Sequence, residues 1–124
     1  MIKNIELITN EIQDFSLQKM KFITNFNVSF FKDFGENQSL LNIGFIIEAD
    51  NEKQYVATFH FHNPESIYYE GGGSYHQLSL TIDDMKERGW EQKRYEVFDY
   101  EDRTLSFYCS DIEVTSIKET SYRL

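Results

Sequence analysis

Apolar and polar residues alternate with a period of two along most of the chain, and this pattern predicts β-strands. Successive side chains of a strand point to opposite faces, so each alternating segment places one apolar row on a core. Six segments carry such a row: Met20, Phe22, Phe26, Val28 and Phe30; Ile43, Phe45, Ile47 and Ala49; Tyr55, Ala57, Phe59 and Phe61; Leu78, Leu80 and Ile82; Tyr95 and Val97; Leu105, Phe107 and Cys109. The pattern predicts a mainly β fold, a single-domain antiparallel β-sandwich or curled sheet with one or two short helices.

Short polar segments between the alternating rows have the composition of hairpin turns. Asn, Asp and Gly accept the backbone conformations that tight turns need. Such segments lie at residues 34–37, 49–52 and 100–103. We predict two hairpins from them, over about residues 41–63 and 93–117.

The last alternating row changes its parity after Cys109. The inward positions before that residue are odd-numbered, whereas the next apolar residues are Ile112 and Val114. A period of two cannot skip a step within a regular strand. The strand is therefore predicted to bulge or break near Ser110 and Asp111.

Helix signals are few. Thr81 or Asp83 is a suitable N-cap for a short helix that continues to Arg88, where Gly89 would end it. Isoleucines near the N-terminus recur every three or four residues. That spacing leaves two options open, a helical turn or an irregular lead-in strand.

The composition indicates one folded domain, which we place at residues 1–124. The 11 Phe and 8 Tyr argue against disorder, and a chain of this size buries a core without a metal or a disulfide. Cys109 is the sole cysteine, which fits a reducing compartment. No apolar run suits a signal sequence or a membrane span, so we expect a soluble, cytoplasmic protein.

The chain is acidic, with 21 Asp and Glu against 12 Lys and Arg and a formal net charge of −9. Such a charge repels phosphates, so neither nucleic acid nor an anionic membrane is an expected partner. Residues 64–124 carry a net −6, and residues 1–63 a net −3. This excess is either a solvated surface or a docking face that accelerates the capture of a basic protein.

His60 and His62 form a motif with metal-ligand character. Residues i and i+2 of a strand share a face, so both imidazoles are able to meet one ion. Further ligands would come from Glu65, Glu70, His76 or Cys109. The alternative is a pair of polar residues on the wet face of a strand, and we assign no metal and no cofactor.

Cys109 is a weak candidate for a catalytic nucleophile. It shares its parity with Leu105 and Phe107, on the predicted core face. A buried cysteine usually behaves as a small hydrophobe. We therefore assign no catalytic residue and predict that the protein is not an enzyme.

A glycine run at residues 71–73 is flanked by aromatic residues. It lacks the lysine of a P-loop and the spaced glycines of a dinucleotide-binding fold. Tyrosine offers a large amphipathic contact area at low entropic cost, so these flanks suit a protein partner. A flexible hairpin connection is the alternative interpretation.

Two segments resemble a known family. One is F-H-F-H-N-P-E-S-I, from Phe59 to Ile67, and the other, from Gly89 to Val114, includes Y-E-V-F-D-Y-E and F-Y-C-S-D-I. They are similar, over about residues 55–117, to small Firmicutes immunity-like proteins that are encoded beside polymorphic secreted toxins. Gln13-Asp14 departs from the His-Asp pair of many such proteins.

The resemblance implies a non-enzymatic protein that neutralises a toxin domain in the cytoplasm. Many such toxins are nucleases with basic clefts, which an acidic partner is able to cover. We predict a protein-binding module whose partner is a basic toxin domain. The predicted contact residues are Tyr68, Tyr69, Glu70, Tyr75, Glu96, Asp99, Glu101 and Asp102. A metal-binding protein or enzyme that uses His60 and His62 stays open, as does a homodimer paired through strand edges.

Overall fold

The computed structural model describes residues 2–49, 52–70, 78–85 and 93–120. The strands in these ranges are β1 (Ile2–Lys3), β2 (Met20–Asp33), β3 (Glu36–Glu48), β4 (Gln54–His62), β5 (Glu65–Tyr69), β6 (Leu80–Asp84), β7 (Tyr95–Asp99), β8 (Leu105–Cys109) and β9 (Asp111–Thr120). The helices are α1 (Glu6–Thr9) and a 3-10 segment, Leu17–Lys19. None of the described helices has the length and apolar character needed to cross a membrane.

The strands form two sheets that face each other across a common core. One sheet has the order β1-β9-β4-β3-β2, and the other has the order β5-β8-β7-β6. Neighbouring strands are antiparallel except β1 and β9, which are parallel. The rings of Phe61 and Phe107, one from each sheet, meet edge to face with centroids 4.9 Å apart. The predicted mainly β, antiparallel fold is confirmed.

The predicted break near Ser110 is confirmed as a passage from one sheet to the other. β8 ends at Cys109 in the four-stranded sheet, and β9 begins at Asp111 in the five-stranded sheet. Because the facing sheets have opposite inward directions, the chain changes parity there and keeps both Cys109 and Ile112 buried. The second predicted hairpin is therefore correct for β7 and β8 but wrong for residues 111–117.

The first predicted hairpin is confirmed as β3 and β4, which pair from Leu40 and His62 to Glu48 and Gln54. β3 begins earlier than expected, and its first residues pair with β2. The turn between β2 and β3 lies within residues 34–37, as predicted. β2 and β3 are thus longer than β4, and their paired ends extend past it.

Two β-bulges in β2 overturn part of its predicted inward row. The register with β3 shifts between Met20 and Phe22 and again between Ile23 and Asn25. A bulge moves the following side chains to the other face, so Ile23, rather than Phe22, packs against the core. Phe30, also predicted to point inward, is 81% exposed, because this end of β2 lies beyond β4.

The predicted helix that begins at Thr81 or Asp83 is wrong over the described residues. Both residues belong to β6, in which Ile82 pairs with Val97 of β7. Pairing with a neighbouring strand outweighs the local preference of a capping residue. Residues 86–89 lie outside the described residues. At the N-terminus both predicted options occur: the lead-in strand is β1, and the helical turn is α1, which begins three residues after β1 ends.

Candidate protein-docking surface

Carboxylates gather on the outer face of the four-stranded sheet. β8 points Cys109 into the core, so its neighbour Tyr108 points outward. Tyr108 pairs with Glu65 of β5 and with Glu96 of β7, and Glu96 pairs in turn with Asp83 of β6. A single row across this face therefore carries three acidic residues.

Two cations lie against these carboxylates. Arg103 Nη1 lies 3.5 Å from Glu96 Oε2, and its guanidinium carbon lies 4.3 Å from the centroid of the Phe98 ring. Lys93 Nζ lies 3.6 Å from Glu65 Oε2. Exposed ion pairs of this kind contribute at most about 1 kcal/mol. The row keeps a negative charge, because three carboxylates face two cations.

The residues predicted beside the glycine run have different surroundings. Tyr68 is 49% exposed, and its hydroxyl donates a hydrogen bond of 2.6 Å to Glu70 Oε2, which raises the pKa of Tyr68. Tyr69 turns toward the core and stacks on Phe26 with ring centroids 4.7 Å apart. Tyr75 lies outside the described residues. Tyr68 and Glu70 thus extend the outer face, whereas Tyr69 contributes to packing.

The turn between β7 and β8 adds two more carboxylates. Glu101 and Asp102 are exposed and border a groove of about 370 Å³ that Gln18 and Lys21 also line. The preceding residue, Tyr100, is 71% exposed. Acidic and aromatic side chains therefore continue from the sheet onto this turn.

Asp99 differs from the other predicted contact residues because its side chain is buried, with 1% exposure. Its Oδ1 accepts a 3.0 Å hydrogen bond from the Ser79 backbone N–H, and its Oδ2 accepts one of 2.7 Å from the Thr104 hydroxyl. Burial alone would raise the pKa of Asp99, but these bonds, with others from backbone N–H groups, hold it below its ordinary value. Asp99 therefore secures the β7–β8 turn from behind the surface.

Outward-pointing residues of this sheet, some exposed and some half-buried, form the candidate docking surface together with the turn, and we call this surface the acidic face. It consists of Glu65, Tyr68, Glu70, Asp83, Glu96, Tyr100, Glu101 and Asp102. Tyrosines among charged residues are typical of surfaces that bind proteins. The acidic face includes five of the eight predicted contact residues.

His60 and His62 lie on the outer face of the five-stranded sheet. His62 Nε2 lies 3.4 Å from Glu113 Oε1. Desolvation lowers the pKa of His60, an effect that Glu113 opposes and His62 reinforces. Among the described residues, no three His, Cys, Asp or Glu side chains are grouped as metal ligands would be. His76 lies outside those residues.

Cys109 lies in the core, which confirms the side of the strand predicted for it. Burial, with a smaller effect of Asp111, raises the pKa of its thiol to about 12. Such a thiol stays protonated near neutral pH, and the thiolate is the reactive form. The surroundings of Cys109 suit packing rather than nucleophilic chemistry.

A second exposed surface was missed by the sequence pattern. β2 and β3 continue as a two-stranded hairpin past the end of β4, and we call residues 29–39 the aromatic arm. Its phenylalanines are 81% exposed at Phe30, 46% at Phe31 and 100% at Phe34. A signal for the arm exists in the sequence, since the segments on both sides of the turn at residues 34–37 are longer than the segment that becomes β4.

The comparisons with known proteins identify a family. A family model described as "Immunity protein PIM8" matches residues 6–115, a longer range than the resemblance at residues 55–117. Neither the curated proteins nor the solved structures include a significant match. The chain therefore belongs to the immunity protein PIM8 family.

Proposed function

We propose that this protein neutralises a cognate toxin domain in the cytoplasm by binding it through the acidic face. Membership of the PIM8 family carries the proposal, because an immunity protein family implies a protein partner, the toxin, that its members bind. The partner is accordingly a protein. The acidic face supplies the exposed charge and the tyrosines for such a contact.

The charge of the acidic face indicates a basic partner surface. Six carboxylates on it face two cations, Lys93 and Arg103. Complementary potentials steer diffusional encounter and raise association rates by orders of magnitude at low salt. A basic catalytic cleft that binds phosphates is one such surface. An acidic protein that covers the cleft excludes the substrate.

The pairing of Asp83 with Glu96 supports a role beyond the fold. The two residues stand directly opposite each other on antiparallel strands, and like charges in that arrangement weaken a sheet. Arg103 offsets part of the repulsion through its contact with Glu96 at 3.5 Å. Attraction of a partner by their negative potential accounts for both carboxylates, whereas the stability of the sheet does not.

Growth rescue tests the proposed function. Candidate toxin domains, taken first from genes that neighbour this one, are expressed in a bacterial host with and without the protein, and each purified pair is measured by surface plasmon resonance. We expect restored growth and an association rate that falls with salt, because charges are screened beyond roughly 8–10 Å near physiological ionic strength. Failure to rescue growth and to bind any of these domains would contradict the proposal.

Charge-matched variants test the role of the acidic face. The double variant Glu101→Gln with Asp102→Asn removes two exposed charges from this face, and Glu48→Gln with Glu52→Gln removes two exposed charges from the β3–β4 end. We expect the first to slow association about tenfold at low salt, and the second to change it by less than about twofold. Equal effects would show that the toxin docks elsewhere.

A further inference from the structure

We infer that the aromatic arm is a second docking element, which holds an arginine-bearing, apolar segment of the toxin. This inference rests on the proposed function, since it assigns the arm to the same toxin domain. The acidic face attracts the partner by charge. The arm adds apolar contact, which determines how slowly a complex dissociates.

The arm projects from the sheet as a hairpin. Residues 30–33 pair with residues 36–39, and β4 ends where β3 reaches Leu40. A two-stranded hairpin is marginally stable in water, and Phe30 and Phe34, at 81% and 100% exposure, bury little apolar area in the free protein. Single exposed apolar residues are ordinary, but a contiguous cluster marks an interaction surface. Phe30 and Phe31 line one groove, and Phe34 lies in the turn that ends β2, so the arm concentrates exposed apolar area at its tip.

Phe34 is the strongest indication that the arm serves a partner. It occupies the first position of a two-residue turn with φ of 50°, and Gly35 follows with φ of 79°. Such turns favour Asn, Asp or Gly, and a bulky side chain is disfavoured at positive φ. The Phe34 ring is 100% exposed, so packing against the described residues does not offset this cost. A contact made in a complex accounts for the aromatic side chain.

Two grooves beside the arm define the chemistry of its occupant. One groove, of about 380 Å³, is lined by Phe30 and Phe31. The other, of about 450 Å³, is lined by Glu36 and Glu65, and Asn37 lines both. A guanidinium bonds to carboxylate and amide oxygens and also stacks on aromatic rings. An arginine between apolar side chains therefore complements the two grooves.

The acidic face and the arm are continuous. Glu65 belongs to the acidic face and also lines the larger groove beside the arm. Its carboxylate already contacts Lys93 at 3.6 Å, so Glu36 is the carboxylate that we assign to the arginine. A single basic partner is thus able to cover both surfaces.

Phe34→Asn separates a docking role from a structural role, because the two expected effects have opposite signs. Asparagine accepts a positive φ better than phenylalanine, so the melting temperature of the free variant should stay the same or rise. Its affinity for the purified toxin domain that the wild type neutralises should fall about tenfold or more, mainly through faster dissociation. Phe30→Ser, made as a separate variant, removes another exposed ring and should also lower the affinity for that domain.

Leu7→Gln is the matched control, since Leu7 is 39% exposed on α1, away from the arm. We expect its affinity to equal that of the wild type. Wild-type affinity in both Phe34→Asn and Phe30→Ser would overturn the inference and leave the proposed function intact. A wild type that neutralises and binds none of the toxin domains in the growth test would instead overturn the proposed function, and this inference with it.

Discussion

Asp99 and Glu101 lie two positions apart and look equivalent in the sequence, yet the first is 1% exposed and the second lies at the surface. Asp99 ends β7 in the inward row of Tyr95 and Val97. There Ser79, twenty residues away, donates its backbone N–H to it, whereas Glu101 lies in the turn beyond the strand. Single-residue roles on this turn therefore depend on a neighbour that local sequence does not reveal.

Tyr68 and Tyr69 are consecutive residues of β5 and therefore point to opposite faces. Pairing with β8 places Tyr69 opposite the buried Leu105, so Tyr69 stacks on Phe26 and Tyr68 faces the solvent.

Asp99→Asn tests the role of this buried carboxylate. Replacement should reduce the free energy of unfolding by about 1–3 kcal/mol at pH 7, because hydrogen bonds to a charged acceptor are lost. The pKa of Asp99 lies below its ordinary value of 3.8. Its stabilisation is therefore fully present above that value and is lost as the pH falls through the folded-state pKa.

Urea unfolding between pH 2 and pH 7 measures this effect. The difference in the free energy of unfolding between the wild type and Asp99→Asn should become smaller at the acidic end, where the carboxylate is protonated. Glu101→Gln removes the same charge from an exposed position, so we expect a change within about 0.5 kcal/mol. A constant gap over the whole pH range would show that the charge of Asp99 does not matter.

The hairpins show at the scale of elements what alternation and turn composition are able to predict. They locate the β2–β3, β3–β4 and β7–β8 turns, since the turn residues and the flanking rows are local features. They miss the two bulges of β2, because an extra residue is detected only when the partner strand is known. The alternation of Leu78, Leu80 and Ile82 does predict a strand where β6 begins. The capping preference of Thr81 and Asp83 predicts a helix over the same residues, and pairing with β7 decides for the strand.

Gly44→Ala tests the contact between Gly44 of β3 and the β2 bulge between Ile23 and Asn25. A Cβ at Gly44 would collide with Asn25 Oδ1 and Thr24 Oγ1, two groups that hydrogen-bond to each other at 3.0 Å. We expect a loss of about 1–2 kcal/mol in the free energy of unfolding, because added volume forces neighbouring side chains to move. Asn25→Ala in the same chain should recover part of that loss, as measured by chemical denaturation.

Gly35→Ala is the control for this rescue. Gly35 has φ of 79° and open space around its Cβ position, so alanine there is disfavoured by the backbone rather than by crowding. Adding Asn25→Ala to Gly35→Ala should therefore not restore the free energy of unfolding. Equal recovery of both glycine variants would mean that Asn25 affects stability by some route other than contact with residue 44.

The net charge of −9 acts on the molecule as a whole. Self-repulsion destabilises a compact state, and salt screens it. Raising sodium chloride from about 10 to 200 mM should therefore increase the melting temperature by about 2–4 °C. Thermal unfolding followed by circular dichroism measures the shift.

The double variant Glu101→Gln with Asp102→Asn should begin with a higher melting temperature and gain less from salt. The opposite trend, a melting temperature that falls with salt, would show that exposed ion pairs outweigh repulsion. Such ion pairs include Arg103 with Glu96, Lys93 with Glu65 and Lys53 with Glu119.

The sequence by itself determined the fold class, most turns and the break of the strand near Ser110. These follow from side-chain alternation, turn preferences and the parity rule, all of which act between near neighbours. The resemblance in its second half also indicated the immunity protein family, which the match over residues 6–115 shows.

Only the tertiary structure decided which candidate residues reach the surface. Asp99 is buried by contacts with Ser79 and Thr104, whereas Phe30 is exposed because β4 is shorter than β2 and β3. Both outcomes depend on how far each strand extends beside its neighbours and on which distant groups meet. The lengths of the alternating segments hint at the arm, but which residues it exposes and which carboxylates form the acidic face is decided only when the sheets are assembled.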